Sequence, residues 1–188
     1  MKNVFFVPAA TSSFHVLIKD NNCSSIFYEK QDYQQFIDIL NMAFTKYGCM
    51  LHSYVFMQDH LHLLAAHSFD IDNVDFIKLI ERQYSEYFNF TYRRLIRLID
   101  LDYSIDSLNV DNDLLSYYRF IEFTPVRTGT VAHLAGYPWS SYGSNAFGED
   151  TGLLTPHDAY MSLGRNESMR WRAYQELFEK TYITSVCR

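Results

Sequence analysis

The sequence predicts an α+β sandwich, helices packed on an antiparallel sheet, and three observations lead there. Short, largely apolar runs occur at 14–19 and again across 49–66, the latter turning at Gln58-Asp59. Between and after them, apolar residues recur at helical spacing. The resulting order, strand–helix–strand–strand–helix with a hairpin in the middle, belongs to sheets whose helices are segregated onto their faces.

Each element has its own signals. Phe14-His15-Val16-Leu17-Ile18-Lys19 reads as the first strand, and Asp20-Asn21-Asn22 as the turn that ends it. Asp32 is the expected cap of a helix running to about Tyr47, with Phe36, Leu40, Ala43 and Tyr47 on one stripe and Gly48 as its stop. A strand follows from about Cys49 to Met57. After the tight Gln58-Asp59 turn, its partner runs to about Ala66. Asp72 or Asn73 opens a second helix, on which Val74, Ile77, Tyr84 and Phe88 share a face. Periodicity is lost after Arg97 and returns at Asp111-Asn112, the expected cap of a third helix carrying Leu114, Leu115, Tyr118 and Ile121 and ending at Pro125. Tyr137-Pro138-Trp139-Ser140-Ser141-Tyr142 is an aromatic turn. Thr155-Pro156 is an N-cap followed by proline at the first helical position. A last helix spans about Ser168 to Tyr182, with Trp171, Tyr174, Leu177 and Phe178 inward.

With 188 residues, 48% hydrophobic and 17% aromatic, the chain suits one domain with a sizeable core, 137–188 forming a C-terminal extension. No apolar run reaches the roughly 18 residues of a membrane span, and the N-terminal apolar patch is too short for a signal peptide. Cys23, Cys49 and Cys187 are far apart and read as free thiols of a reducing cytoplasm. A net charge of −6 argues against a phosphate-binding surface over the whole protein but leaves room for a local basic groove. Arg82, Arg93, Arg94 and Arg97 crowd one region and Arg119 and Arg127 another. Asp100, Asp102, Asp106, Asp111 and Asp113 lie between them.

The chemistry centres on His60-Leu61-His62. Alternate strand residues share a face, so the two imidazoles point the same way and together can hold one divalent metal. The same pair also fits a strand edge with two polar residues facing water. Of the other histidines, His52 and His67 lie near this hairpin, and His15, His133 and His157 read as hydrogen-bonded surface or core residues. Asp59 is placed to orient His60 or to form the turn. Arg82, Arg93 and Arg94, with Tyr84 and Tyr87, fit a single-strand groove of charge and stacking rings, or an ordinary solvated helix face.

Five stretches in order resemble one family: Phe14-His15-Val16, Tyr54 through Leu64, Gln83 through Asn89, Phe120 through Gly129, and Tyr137 through Tyr142. Together they resemble the single-tyrosine His-hydrophobic-His (HUH) transposases, and within them the REP-associated tyrosine transposases. The resemblance implies a ferredoxin-like HUH sandwich, its central antiparallel sheet covered by helices on one or both faces and followed by a helical appendage. It implies magnesium or manganese on His60 and His62. It also implies nicking and rejoining of single-stranded DNA, hairpin or palindromic, through a phosphotyrosine, and it is compatible with a homodimer.

The chain departs from that pattern in three places. Where the family reads Tyr-Ile-x-x-Asn-Pro-Val, this chain reads Phe120-Ile121-Glu122-Phe123-Thr124-Pro125-Val126. Phe120 stands at the nucleophile position and Thr124 at that of the third metal ligand. Tyr117, one turn before Phe120 and about 4.5 Å along the helix axis, is the nearest substitute nucleophile; it also reads as a groove or core aromatic. The family's Leu-Trp-x-Gly-Arg core is replaced by the acidic stretch Leu98 to Asp106, which would repel phosphates. The expectation is a transposase-like, single-stranded-DNA-binding protein impaired in cleavage. Its alternative is a non-catalytic relative that binds DNA hairpins or another protein.

Overall fold

The computed structural model describes residues 12–20, 25–67, 73–92, 101–108 and 113–186. Arg93, Arg94, Arg97, Cys23, Cys187 and the Asp111-Asn112 cap fall outside them.

The described elements are β1 (Ser12–Asp20), α1 (Lys30–Tyr47), β2 (Cys49–Phe56), β3 (His60–His67), α2 (Asn73–Tyr92), β4 (Leu101–Leu108), α3 (Leu114–Glu122), α4 (Thr124–Arg127), α5 (Tyr142–Phe147), α6 (Asp158–Met161) and α7 (Glu167–Val186). The sheet order is β2-β3-β1-β4, with every neighbouring pair antiparallel. This is the split β-α-β arrangement, and it puts the histidine strand inside the sheet. No helix among the described residues is long and apolar enough to cross a membrane.

The sheet separates two cores. Phe14, Val16, Ile18, Leu61, Leu63 and Ala65 pack against α1 and α2 on one face. Val55, Met57, Leu64 and Leu108 pack against α3 and the C-terminal helices on the other. Helices therefore cover both faces, and the second cover is supplied by residues after 113.

Several local expectations change. Asp32 is the third residue inside α1, and the N-cap is Glu29. The buried Asp32 carboxylate accepts the backbone N–H of Glu29 at 2.9 Å and that of Tyr28 at 2.8 Å. Tyr87 and Tyr92 of α2 also donate to it. It closes a capping box and ties two helices together. Gly48 does end α1, in the left-handed region at φ 63°. The stretch after Arg97, aperiodic by sequence, contains strand β4. Its polar face, Asp102, Ser104 and Asp106, sits at the sheet edge, where core-type alternation is not required. Thr155-Pro156 opens no helix, because Thr155 N–H donates to Leu51 O at 2.8 Å beside β2; α6 starts later, capped by His157.

Candidate functional site

The histidine face is built by register. Leu17 lies opposite His62 and His15 opposite both Leu64 and Asp106, so β1, β3 and β4 bring His15, His62 and Asp106 to one side of the sheet. His15 Nε2 and His62 Nδ1 are 3.0 Å apart, and His15 Nδ1 lies 3.5 Å from Asp106 Oδ2. A single proton arrangement satisfies the row with both rings neutral: His62 Nδ1–H donates to His15 Nε2, and His15 Nδ1–H donates to Asp106. His62 then presents an unprotonated Nε2. Burial, then the neighbouring His15, His60 and Arg127, push the His62 pKa down to about 3. Burial also lowers that of His15, against the opposing pull of Asp106. Both rings are neutral at pH 7.

His60 is oriented independently. Asp59 Oδ1 accepts from its Nδ1 at 2.7 Å, which leaves Nε2 as the outward nitrogen. The His60 and His62 rings are 5.3 Å apart, centre to centre, at 86°.

Helix α3 faces this pair. The Phe120 ring lies 5.4 Å from that of His62, edge to face, and 6.1 Å from that of His15. The Arg127 guanidinium stacks over Phe120 at 4.4 Å, and its Nη2 donates to Thr124 Oγ1 at 2.9 Å. Thr124 is fully buried, and its hydroxyl donates to Phe120 O at 3.0 Å. The expected third ligand is thus spent on holding Arg127 and its own helix turn. Tyr117 sits beside His15, rings 5.9 Å apart, and lines a shallow pocket with His15, Asp106, Ser116 and Phe120.

The remaining expected site residues lie elsewhere. Tyr84 is fully buried in the α1–α2 core, its hydroxyl donating to Ile26 O at 2.8 Å, so it offers no face for stacking. Arg82 is exposed on α2, which covers the opposite face of the sheet. Arg127 is the described arginine that belongs to the site. His52 is buried, with Nδ1 2.6 Å from Thr155 O, and serves the β2 edge.

Sequence reasoning missed His15 and Asp106 as site residues. The strand pattern put His15 on a strand but not in register with His62, and Asp106 belonged to no recognised element.

His60 and His62 could begin the coordination shell of a divalent cation; imidazole nitrogen suits first-row transition ions better than magnesium, which prefers oxygen ligands. Two imidazoles with their inner nitrogens held provide that start. Among the described residues no group of three His, Cys, Asp or Glu side chains forms a closed metal site.

Residues 9–100 match the family model of the IS200-like transposases, a stretch that includes the histidine strand and ends before α3. No curated protein matches the chain. Among solved structures, a REP-associated tyrosine transposase bound to a REP hairpin superposes with a TM-score of 0.60 at 15% identity, covering 81% of this chain and 87% of that one. A putative transposase from Deinococcus radiodurans R1 gives a TM-score of 0.46 at 17% identity, covering 65% of this chain and 95% of that one. The chain is thus similar to the IS200-like transposases over just under half its length, through the strand that carries both histidines.

Proposed function

We propose that this chain binds single-stranded DNA carrying a hairpin across the face bearing His60 and His62, holds a divalent metal there, and no longer forms a phosphotyrosine. The observation that carries this reading is the pairing of two pre-oriented imidazoles with a phenylalanine. His60 and His62 have their Nδ1 atoms engaged by Asp59 and His15, and the ring facing them from α3 is Phe120. The REP hairpin held by the structural neighbour supports the choice of DNA.

Bound magnesium or manganese would polarise a phosphate oxygen as a Lewis acid. The chain's own residues do the rest. His60 and His62 present Nε2, while Asp59 and His15 fix their tautomers. Arg127 offers a guanidinium to the phosphate and is held in place by Thr124. Phe120 has no oxygen to attack phosphorus, so the strand is gripped without covalent capture.

The test is a suicide assay with hairpin-bearing single-stranded DNA and manganese. The natural chain is expected to bind without forming a covalent protein–DNA band, and Phe120→Tyr is expected to form one. A band from the natural chain that Tyr117→Phe removes would defeat the reading and make Tyr117 the nucleophile.

A further inference from the structure

A second cleft beside the histidines is larger than the one facing Phe120. It has a volume of about 530 Å³ and opens next to His60, between the β2–β3 turn (Met57, Gln58, Asp59), Tyr33 of α1 and the chain after α4 (Thr128, Thr130, Tyr137, Pro138, Trp139). That size suits a small planar ligand.

Its wall is aromatic and fixed. Phe27, Tyr33 and Trp139 form a stack with ring centres 4.2 and 4.4 Å apart, and Tyr33 and Trp139 are within 11° of parallel. The segment carrying Trp139 is tied along β2. Trp139 O accepts Phe56 N–H at 2.9 Å, Ser141 N–H donates to Tyr54 O at 3.0 Å, and the Tyr137 hydroxyl donates to Phe56 O at 2.6 Å. Gln58 donates to Ser25 across the rim at 3.0 Å.

The chemistry of the lining selects among ligands. Among the described residues no lysine or arginine lines the cleft, and the one carboxylate there, Asp59, is turned to His60. A phosphate would meet no cation and one like charge. A neutral planar group with hydrogen-bonding edges meets a flat aromatic wall and the hydroxyls of Ser25, Thr128 and Thr130. The cation of the site, Arg127, lies over Phe120 instead. Charge and stacking are therefore divided between neighbouring positions, as a strand with alternating phosphates and bases requires.

We infer that this cleft is a nucleobase subsite: it takes one unpaired base of the bound strand against Trp139, next to the phosphate at His60. The inference rests on the DNA-binding reading above and extends it to base capture.

The full chain is titrated at low salt with two 20-nucleotide probes of equal charge, oligo(dT) and its fully abasic counterpart. The expected result is that oligo(dT) binds about five- to a hundredfold more tightly. Trp139→Leu should remove most of that preference and leave abasic affinity unchanged, whereas Trp139→Phe should keep part of it. In a Trp171→Phe background, bound oligo(dT) should quench Trp139 fluorescence and the abasic strand should not; this readout needs no change in the cleft. Equal affinity for both probes, or binding without quenching, overturns the base subsite and leaves DNA binding standing. Failure of both probes to bind overturns the base subsite, and it overturns the DNA-binding reading as well when the hairpin-bearing strand also fails to bind.

Discussion

His15 shows how one residue's meaning depends on partners far away in sequence. It stands 47 residues before His62 and 91 before Asp106, and both of its ring nitrogens face those two side chains. Supporting groups of this kind typically change metal affinity by 10–100-fold. His15→Gln should therefore weaken manganese binding to a similar extent, measured by calorimetry, without unfolding the chain. An unchanged affinity would show that His62 needs no such support. Tyr84 is the converse case. Its spacing suits a stacking residue as well as a core residue, and only the packing of α1 against α2 decides. Tyr84→Phe leaves Ile26 O without its buried donor and should cost about 1–2 kcal/mol in a denaturant titration while leaving DNA affinity intact. The shared face of the histidine pair was legible from sequence because alternation on a strand is local, whereas Phe120 was singled out by the family resemblance of its stretch. The role of His15 was not legible, because register between β1, β3 and β4 is a property of the folded sheet.

Among the elements, α3 is the one whose placement matters most, and a buried carboxylate holds it. Glu122 accepts from Ser53 of β2 at 3.3 Å, from Ser141, from Asn145 of α5 at 2.8 Å and from Tyr174 of α7 at 2.7 Å. These bonds favour the ionised form, but burial outweighs them and raises the pKa from 4.5 to about 7. The native state thus binds this proton more tightly than the unfolded chain. The stabilisation linked to Glu122 is complete below about pH 4.5 and is lost as pH rises toward and through 7. A shift of that size corresponds to roughly 3 kcal/mol. His52, whose pKa burial lowers to about 4, works in the opposite direction: its contribution is absent at low pH and grows between about 4 and 6.5. The informative quantity is therefore the difference between wild type and Glu122→Gln. Melting curves from pH 5 to 8 should show the wild type losing stability relative to the variant by several degrees. A pH-independent difference would mean that Glu122 stays ionised throughout. Helices α1, α2, α3 and α7 were legible from periodicity, but the N-caps were not: Glu29 rather than Asp32 caps α1, and Asp113 caps α3. Strand β4 was not legible either, since an edge strand with one polar face lacks the apolar alternation by which strands are recognised.

For the whole molecule, the proposed function requires a net charge of −6 and a phosphate-binding face to coexist. They do so through locality: Lys19 pairs with Asp102 at 3.1 Å, while Asp106 accepts from the neutral His15 and keeps its charge beside the site. Single-stranded DNA binding should weaken steeply with salt, and Arg127→Gln should reduce the slope of log K against log salt by about 0.7 while lowering affinity for all sequences alike. An unchanged slope would place the phosphate contact elsewhere.

The two long edges of the sheet are finished differently. Along β2, Leu51 bridges Leu154 and Val55 bridges Ser140, so the C-terminal extension occupies that border. Among the described residues β4 has one strand neighbour, β1, and its outward-facing backbone is a template for another strand. Asp102 and Asp106 stand on this edge strand, their carboxylates on its histidine face. A second sheet approaching the edge would bring like charges together before any backbone hydrogen bond formed. Acidic residues on an edge strand would thus oppose edge-to-edge polymerisation, a duty unrelated to DNA.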